Sequence, residues 1–245
     1  MNKTYFNWSS GKDSSLALYK ILQNDQYAIS KLVTTINSDY KRVSMHGLRI
    51  ALLEQQAQSI GLPLHTIEFP AAVSMESYSN TMKKEVTQLR SDGYTHGVFG
   101  DIFLEDLRAY RDEQLAEVGI EGVYPLWKKD TKALLKEFID LGFKAITVCV
   151  NAKHLDEHFC GRIIDESFIE DLPDTVDVCG ENGEFHTFVY DGPIFKNPIP
   201  FTIGEKVLRG YDKADNDDDN CFIDEDDQKS WDTAFWYCDL IAHKT

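Results

Sequence analysis

The chain has 245 residues, 42% of them hydrophobic, and a formal net charge of −16. This length suffices for one large domain or for a medium-sized domain with a smaller one, and the apolar content can fill a core. The sequence has no apolar run of eighteen residues and no apolar segment at its N-terminus, so we expect a cytoplasmic protein that does not cross a membrane. The acidic balance disfavours nucleic-acid binding along an extended surface, because neutralising phosphates needs clustered Lys and Arg.

Two further features of the composition exclude common classes of protein. The five cysteines are widely spaced, with no Cys-x-x-Cys pair, which argues against a disulfide framework and against a zinc ribbon. Residues 212–227 carry nine acidic side chains and a single lysine. Such a density of like charge favours a solvated loop. A calcium loop is the alternative, but it would need a glycine in its sixth place and a glutamate in its twelfth, and both are missing.

The first predicted strand ends in a short polar stretch, and a helical pattern follows it, so this stretch is predicted to be a tight loop. Its sequence is Ser9-Ser10-Gly11-Lys12-Asp13-Ser14. Backbone N–H groups, the positive end of the helix, the serine hydroxyls and the Lys12 ammonium can all bind an anion there. Asp13 would repel a bare phosphate, so we predict that Mg²⁺ arrives with the phosphate and that Asp13 is its ligand. A serine-capped helix that binds nothing is the alternative.

Strand and helix patterns then alternate through the first 150 residues. The predicted strands are 4–8, 29–36, 64–69, 97–99, 122–125 and 145–150, and the predicted helices are 14–23, 48–60, 75–92, 105–118 and 131–141. This order predicts an α/β fold, with a parallel sheet covered by helices on both faces. We predict that this sheet forms one domain, at 1–150, and that a smaller α+β domain follows at 151–245.

Ligands of such sheets bind beyond the carboxyl ends of the strands, so the later loops should complete a pocket around the first loop. His46 lies in the loop after the second strand, where a surface position is the alternative to a place in the pocket. The fourth strand ends at Gly100 and Asp101, and this carboxylate is well placed for a metal, a ribose or a reacting group. Arg108 follows on the next helix, where an ion pair with Glu105 on the surface is the alternative.

The chain becomes more polar past residue 150. A helix is predicted over 154–170, and Asn182-Gly183 is typical of a two-residue turn in a hairpin. Glu181, Glu184 and His186 surround that turn. Unpaired carboxylates beside an imidazole cost stability unless they bind something, so we predict a binding role for these side chains. The remaining strands are predicted at 201–209 and 234–242.

Several motifs together resemble a known family. The loop at 9–14 resembles the Ser-Gly-Gly-x-Asp-Ser pyrophosphate loop of the N-type ATP pyrophosphatases, with Ser10 in place of the first glycine. A serine can still fit this turn with a negative φ or under mild strain. Three more motifs follow in the family's order: Phe99-Gly100-Asp101-Ile102, Pro125-Leu126-Trp127 and Gly180-Glu181-Asn182-Gly183-Glu184-Phe185-His186-Thr187. With them, the chain resembles the diphthine–ammonia ligase family, and in its last motif the bacterial branch of that family.

This resemblance implies an N-terminal HUP-type domain that binds ATP with Mg²⁺ and a C-terminal domain that binds the substrate. It implies that a carboxylate, on a small molecule or a modified residue, becomes an acyl-adenylate and is then amidated by ammonia or an amine. The implied nucleotide-binding residues are Ser9, Ser10, Gly11, Lys12, Asp13, Ser14 and Gly100, and Lys12, Asp13 and Asp101 are the implied catalytic residues. The implied substrate-binding residues are His46, Arg108, Glu181, Asn182, Glu184 and His186.

Two other functions remain open on the sequence alone. An RNA-modifying enzyme could share the first domain, although the paired cysteines and basic surfaces common in sulfur-transferring members are missing here. A nucleotide sensor without turnover could share the same fold. We also expect that an exposed edge of the smaller domain's sheet could pair two subunits as a homodimer.

Overall fold

A computed structural model describes residues 1–44, 46–211 and 233–243, and within these ranges the chain forms two sheets and six α-helices. The strands are β1 (Asn2–Asn7), β2 (Tyr27–Asn37), β3 (Arg42–Val43), β4 (Leu64–Phe69), β5 (His96–Val98), β6 (Glu121–Val123), β7 (Lys144–Asn151), β8 (Phe185–Asp191), β9 (Phe201–Tyr211) and β10 (Thr233–Ala242). The α-helices are α1 (Lys12–Ile21), α2 (Ile50–Ile60), α3 (Met75–Ser91), α4 (Glu105–Glu117), α5 (Thr131–Asp140) and α6 (Glu166–Asp171). None of the helices so described is long and apolar enough to cross a membrane.

The first sheet confirms the predicted α/β fold. Its parallel strands lie in the order β4-β2-β1-β5-β6, and the short β3 pairs antiparallel with the end of β2. The chain winds from β1 to one side of the sheet and later returns to its other side at β5. The strand order therefore reverses between β1 and β5, and a crevice for ligands is expected where these two strands end.

Alternation of side chains along β1 explains why both faces of this sheet are covered. Phe6 and Trp8 point to one face, where they join the core formed with α1, α2 and α5. Tyr5 points to the opposite face and packs with Leu89 of α3 and Leu115 of α4. A run of large apolar residues such as this is typical of a strand that is buried on both sides.

The second sheet is antiparallel, in the order β8-β7-β10-β9, and it packs on the α1 and α2 side of the first sheet. One continuous apolar cluster joins the two sheets, from Phe6 and Leu16 to Ile146 and Phe188. The sequence-based prediction placed the strand at 145–150 in the parallel sheet, which is wrong, because β7 pairs with β8 and β10. The domain boundary at residue 150 stays a prediction, as does the homodimer formed through a sheet edge.

The prediction of one helix over 154–170 is also wrong. In its place there are a short 3-10 helix, Glu157–Phe159, and α6. Gly161, with a φ of 73°, breaks the helical path, and the chain then runs beside β7, where Thr147 exchanges backbone hydrogen bonds with Gly161 and Arg162. Asp165 starts the second helix, because its carboxylate accepts the N–H of Phe168 at 2.9 Å.

The hairpin predicted around Asn182-Gly183 does not form, because no strand precedes that turn within the described part of the chain. Residues 177–184 instead fold as successive turns, in which Gly180 donates to the carbonyl of Asp177 and Gly183 donates to that of Gly180. Strand β8 begins directly after these turns and pairs with β7. The acidic segment at 212–227 lies outside the described residues.

Candidate functional site

The predicted anion-binding loop lies at the carboxyl end of β1 and leads directly into α1. Its hydroxyl groups hold one another in place. Ser9 Oγ donates to Ser14 Oγ at 3.0 Å, and the hydroxyls of Ser14 and Ser15 donate to the Gly11 carbonyl at 3.0 and 2.9 Å. The loop is therefore shaped before any ligand arrives, with the positive end of α1 behind it.

The end of β5 closes on this loop, as predicted for the two strands that flank the switch in strand order. A Cβ atom on Gly100 would lie 3.0 Å from the Ser14 nitrogen and 3.1 Å from the Asp13 carbonyl carbon. Only glycine allows so close an approach of two backbones. Asp101 follows at the crevice, where its carboxylate pairs with Arg111 of α4 at 2.5 Å.

Lys12 joins the loop to the turns at 177–184, which precede β8. Its side chain is 4% exposed, and its Nζ lies 2.7 and 2.8 Å from the two carboxylate oxygens of Asp13 and also donates to the Cys179 carbonyl. Burial by itself lowers the pKa of Lys12, but the charges of Asp13 and its other neighbours outweigh burial and raise that pKa. Lys12 is thus a fixed positive charge buried beside the loop.

Carboxylates outnumber cations around Lys12. Burial, followed by the charge of Asp13, raises the pKa of Glu181 to about 8, and burial likewise raises the pKa of Asp13. Asp101 and Asp177 also act on Glu181. A cation bound among these carboxyl groups would favour their charged forms, so the cluster favours binding of a cation. No cluster of three or more metal-ligating side chains occurs among residues 1–44, 46–211 and 233–243, but Mg²⁺ commonly takes only one or two carboxylates and completes its shell with phosphates and water.

Glu184 has a structural position, unlike its neighbour Glu181. It is 2% exposed and accepts the backbone N–H groups of Asp177 and Asn182 at 3.0 and 2.9 Å. The Asn182 side chain is exposed and donates to the same carboxylate at 3.1 Å. Glu184 therefore holds the turns at 177–184 in shape, and Glu181 is the carboxylate that reaches the crevice.

Strand β8 contacts the loop directly, through residues that the sequence analysis did not single out. The Thr187 hydroxyl accepts the Lys12 N–H at 3.0 Å, and the Val189 N–H donates to the Ser10 carbonyl at 3.0 Å. Gln56 of α2 donates to the carbonyls of Ser10 and Val189 at 3.1 and 2.6 Å. Thr187 ends the last motif and could have been singled out there, whereas nothing in the local pattern distinguishes the buried Gln56.

His46 and His186 meet beside the loop. Their rings are stacked with centroids 4.6 Å apart and planes 22° apart. Burial, and then the charge of Lys12, lowers the pKa of His186 to about 4, and burial also lowers that of His46. Both imidazoles are therefore neutral at pH 7.

Arg108 lies farther along the sheet. Its guanidinium is 4.4 Å from the ring centres of both Tyr124 and Trp127, at the end of β6. Glu105 pairs with Lys128 at 2.6 Å, so the alternative of an ion pair between Glu105 and Arg108 is wrong. The crevice thus brings together the loop at 9–14, the Gly100-Asp101 pair, Glu181 and the two histidines, whereas Arg108, Asn182 and Glu184 have their polar partners elsewhere.

Ser10 carries the strain of the loop. Its φ is +72°, and its hydroxyl is buried without a hydrogen-bond partner among the residues described. Ser10→Gly is therefore expected to raise the free energy of unfolding by about 1 kcal/mol, since glycine adopts this φ freely. Urea unfolding measures the change.

A matched control for this substitution is Lys41→Gly. Lys41 has a φ of +50° and an exposed side chain, so the change relieves the same kind of strain without removing a buried hydroxyl. We expect Ser10→Gly to raise the free energy of unfolding by more than Lys41→Gly does. A Ser10→Gly protein no more stable than the wild type would contradict this account of the loop.

Two family models and several curated proteins match the sequence of this chain. The family model for the diphthamide synthase N-terminal domain matches residues 2–122, and the one for the diphthamide synthase C-terminal domain matches residues 130–214. The diphthine–ammonia ligase of Danio rerio is 32% identical over 171 residues, which cover 64% of this chain and 67% of that protein. The diphthine–ammonia ligase of Homo sapiens is 27% identical over 188 residues, covering 71% and 68%.

Solved structures overlap with the chain less closely. A predicted subunit of tRNA methyltransferase from Methanocaldococcus jannaschii aligns with a TM-score of 0.39 at 17% identity, over 64% of this chain and 82% of that one. The U34-tRNA thiolase NcsA from Methanococcus maripaludis aligns with a TM-score of 0.39 at 13% identity, over 58% and 59%. Overlap at that level supports no conclusion about function. The two family models, which together span most of the sequence, and the curated relatives lead to one conclusion: the chain belongs to the diphthamide synthase family, whose curated members carry the name diphthine–ammonia ligase.

Proposed function

We propose that this protein uses ATP to activate a carboxylate and then joins ammonia or an amine to it. Membership of the family makes the chain an ATP-dependent ligase of the diphthine–ammonia ligase type. In the first step a carboxylate oxygen attacks the α-phosphorus of ATP, which gives an acyl-adenylate and releases pyrophosphate. In the second step the nitrogen attacks the acyl carbon, an amide forms, AMP leaves, and the nitrogen loses one proton to solvent.

The observation that carries the proposal is the pre-shaped loop at 9–14, at the point where the strand order reverses between β1 and β5. Negative charge builds up on pyrophosphate as it leaves. The positive end of α1 and the buried Lys12 ammonium are held in place beforehand, and the ammonium, whose N–H groups bond to Asp13 and the Cys179 carbonyl, acts on that charge through its own positive charge. This arrangement favours the transition state over bound ATP.

We propose Asp13 as the residue that holds Mg²⁺, with Glu181 as its neighbour across the crevice. The excess of carboxylates over cations around Lys12 supports this choice, because a divalent cation would relieve their repulsion. Mg²⁺, when bound with ATP, neutralises phosphate charge. Asp101 is held by Arg111 at 2.5 Å and is proposed to orient the nucleotide.

The acceptor carboxylate is proposed to bind between the loop and the turns at 177–184. Lys12 joins the two segments by donating to the Cys179 carbonyl, and its backbone N–H donates to Thr187 of β8. Diphthine, the substrate named for the relatives, is the first candidate for the acceptor, and ammonia is the candidate nitrogen donor.

Free, buried thiols at Cys149, Cys160, Cys179 and Cys238 support a reducing, cytoplasmic location.

Pyrophosphate release tests the proposal. The protein is incubated with Mg²⁺, ATP, ammonium chloride and a protein that carries diphthine, and phosphate is measured after treatment with pyrophosphatase. We expect release that depends on both ATP and the diphthine-bearing protein, together with AMP in equal amount. Binding of ATP without any pyrophosphate release, across a panel of carboxylates, would instead indicate a nucleotide sensor.

A further inference from the structure

His46 lies against the phosphate loop. Its Cε1 atom is 3.2 Å from the position that a Cβ on Gly11 would occupy, so the imidazole edge rests on the backbone of the loop. His186 of β8 covers one face of the ring, with centroids 4.6 Å apart. The ring therefore has little freedom to turn away from the loop.

The two nitrogens of this ring differ in their surroundings. The Thr187 carbonyl acts on the ring as a hydrogen-bonding neighbour that raises the pKa of His46, whereas Nδ1 is buried and has no hydrogen-bond partner among the described residues. We therefore assign the ring proton to Nε2, so that Nδ1, which is bonded to the Cε1 atom that lies against Gly11, keeps a lone pair. A buried nitrogen without a partner costs free energy, and a ligand removes that cost either by donating to its lone pair or by accepting from it once it is protonated.

The groups around His46 keep its ring neutral when no ligand is bound. Burial lowers its pKa well below the usual value, and His186 and Lys12 lower it further. From the other elements, Arg42 of β3 donates to the neighbouring Gly47 carbonyl at 2.6 Å, and the ring of Tyr237 in β10 lies beside Gly47. Among these groups no carboxylate faces the imidazole to favour its charged form.

A triphosphate bound in the loop would instead favour the protonated form of the His46 ring. Its unprotonated oxygens are acceptors and cannot bond to the Nδ1 lone pair, so contact requires a proton on Nδ1. Several negative charges within the loop would favour that proton strongly. We propose that His46 is a further nucleotide-binding residue, which takes up a proton from solvent when ATP binds and donates its Nδ1–H to a phosphate oxygen. This inference rests on the proposed use of ATP.

Calorimetry with Mg²⁺–ATP tests the inference without any acceptor substrate. Titrations at pH 7.5 in buffers of different ionisation enthalpy give the number of protons taken up on binding. We expect the wild type to take up about one proton more than His46→Phe, and its affinity to fall by about tenfold per pH unit more steeply between pH 7 and 8. Protons gained or lost by ATP itself are common to both proteins and cancel in the comparison.

His186→Phe is the matched control. It keeps a ring stacked on His46 and leaves Nδ1 untouched, so the extra proton uptake should persist. Should His46→Phe fail to fold, ¹⁵N spectra of the wild-type imidazoles with and without Mg²⁺–ATP give the same answer, because Nδ1 of His46 should shift from an unprotonated to a protonated value. Binding of ATP with equal proton uptake in the wild type and His46→Phe, or an unshifted Nδ1 signal, overturns the inference and leaves the proposed function intact. Absence of ATP binding by the wild type overturns both.

Discussion

Replacing Lys12 with alanine is expected to lower ATP-dependent pyrophosphate release by about 10²–10³-fold, the usual effect of removing a fixed donor from a site of developing charge. The ammonium of Lys12 is buried and is held by Asp13 and the Cys179 carbonyl, so it is fixed before ATP arrives. Its loss also leaves the Asp13 carboxylate without its cation. Pyrophosphate release and ATP affinity by calorimetry are the two measurements.

Lys20→Ala supplies the matched control for this variant. Lys20 lies on the same helix and forms an ion pair with Glu137, outside the crevice. Both substitutions remove one positive charge from α1, so an effect of net charge alone would appear in both. Unchanged ATP affinity and unchanged pyrophosphate release in a folded Lys12→Ala protein would refute the assignment of the loop.

Local patterns predicted the first sheet well, because its physical causes are themselves local. The residues of β1 alternate between two covered faces, and the serines, glycine and lysine that follow carry the chemistry of an anion site in one short stretch. The family resemblance, carried by motifs in a fixed order, is confirmed by the family models. Its bacterial branch stays a prediction.

The wrong predictions concern segments whose structure depends on residues far away in the sequence. Nothing within 145–150 indicates that β7 pairs with β10, which lies some 90 residues later in the chain. The turn at Asn182-Gly183 is typical of a hairpin, but the carboxylates of the half-buried Asp177 and the buried Glu184 accept backbone N–H groups of this segment and replace the pairing of strands. The contacts that hold β8 against the loop also join distant segments. Thr187 of β8 accepts the Lys12 N–H, and Gln56 of α2 donates to the Ser10 carbonyl.

The two glutamates of the last motif are expected to respond oppositely to substitution. Glu184→Ala removes the acceptor of two backbone N–H groups and of the Asn182 side chain from a position only 2% exposed. We expect the free energy of unfolding to fall by about 3–5 kcal/mol, since each buried donor left without a partner costs about 1–3 kcal/mol. Urea unfolding followed by tryptophan fluorescence measures this change.

Glu181→Gln is the matched comparison, because it changes the same residue type three positions earlier in the same segment. The pKa of Glu181 is raised to about 8, first by burial and then by Asp13, so the folded protein gains nothing from its charge at pH 7. We expect this variant to be as stable as the wild type or slightly more stable, yet to lose most of its pyrophosphate release, because the proposed Mg²⁺ loses its neighbouring carboxylate. Loss of stability in Glu181→Gln, or full stability in Glu184→Ala, would mean that the structural and functional roles of this pair are assigned the wrong way round.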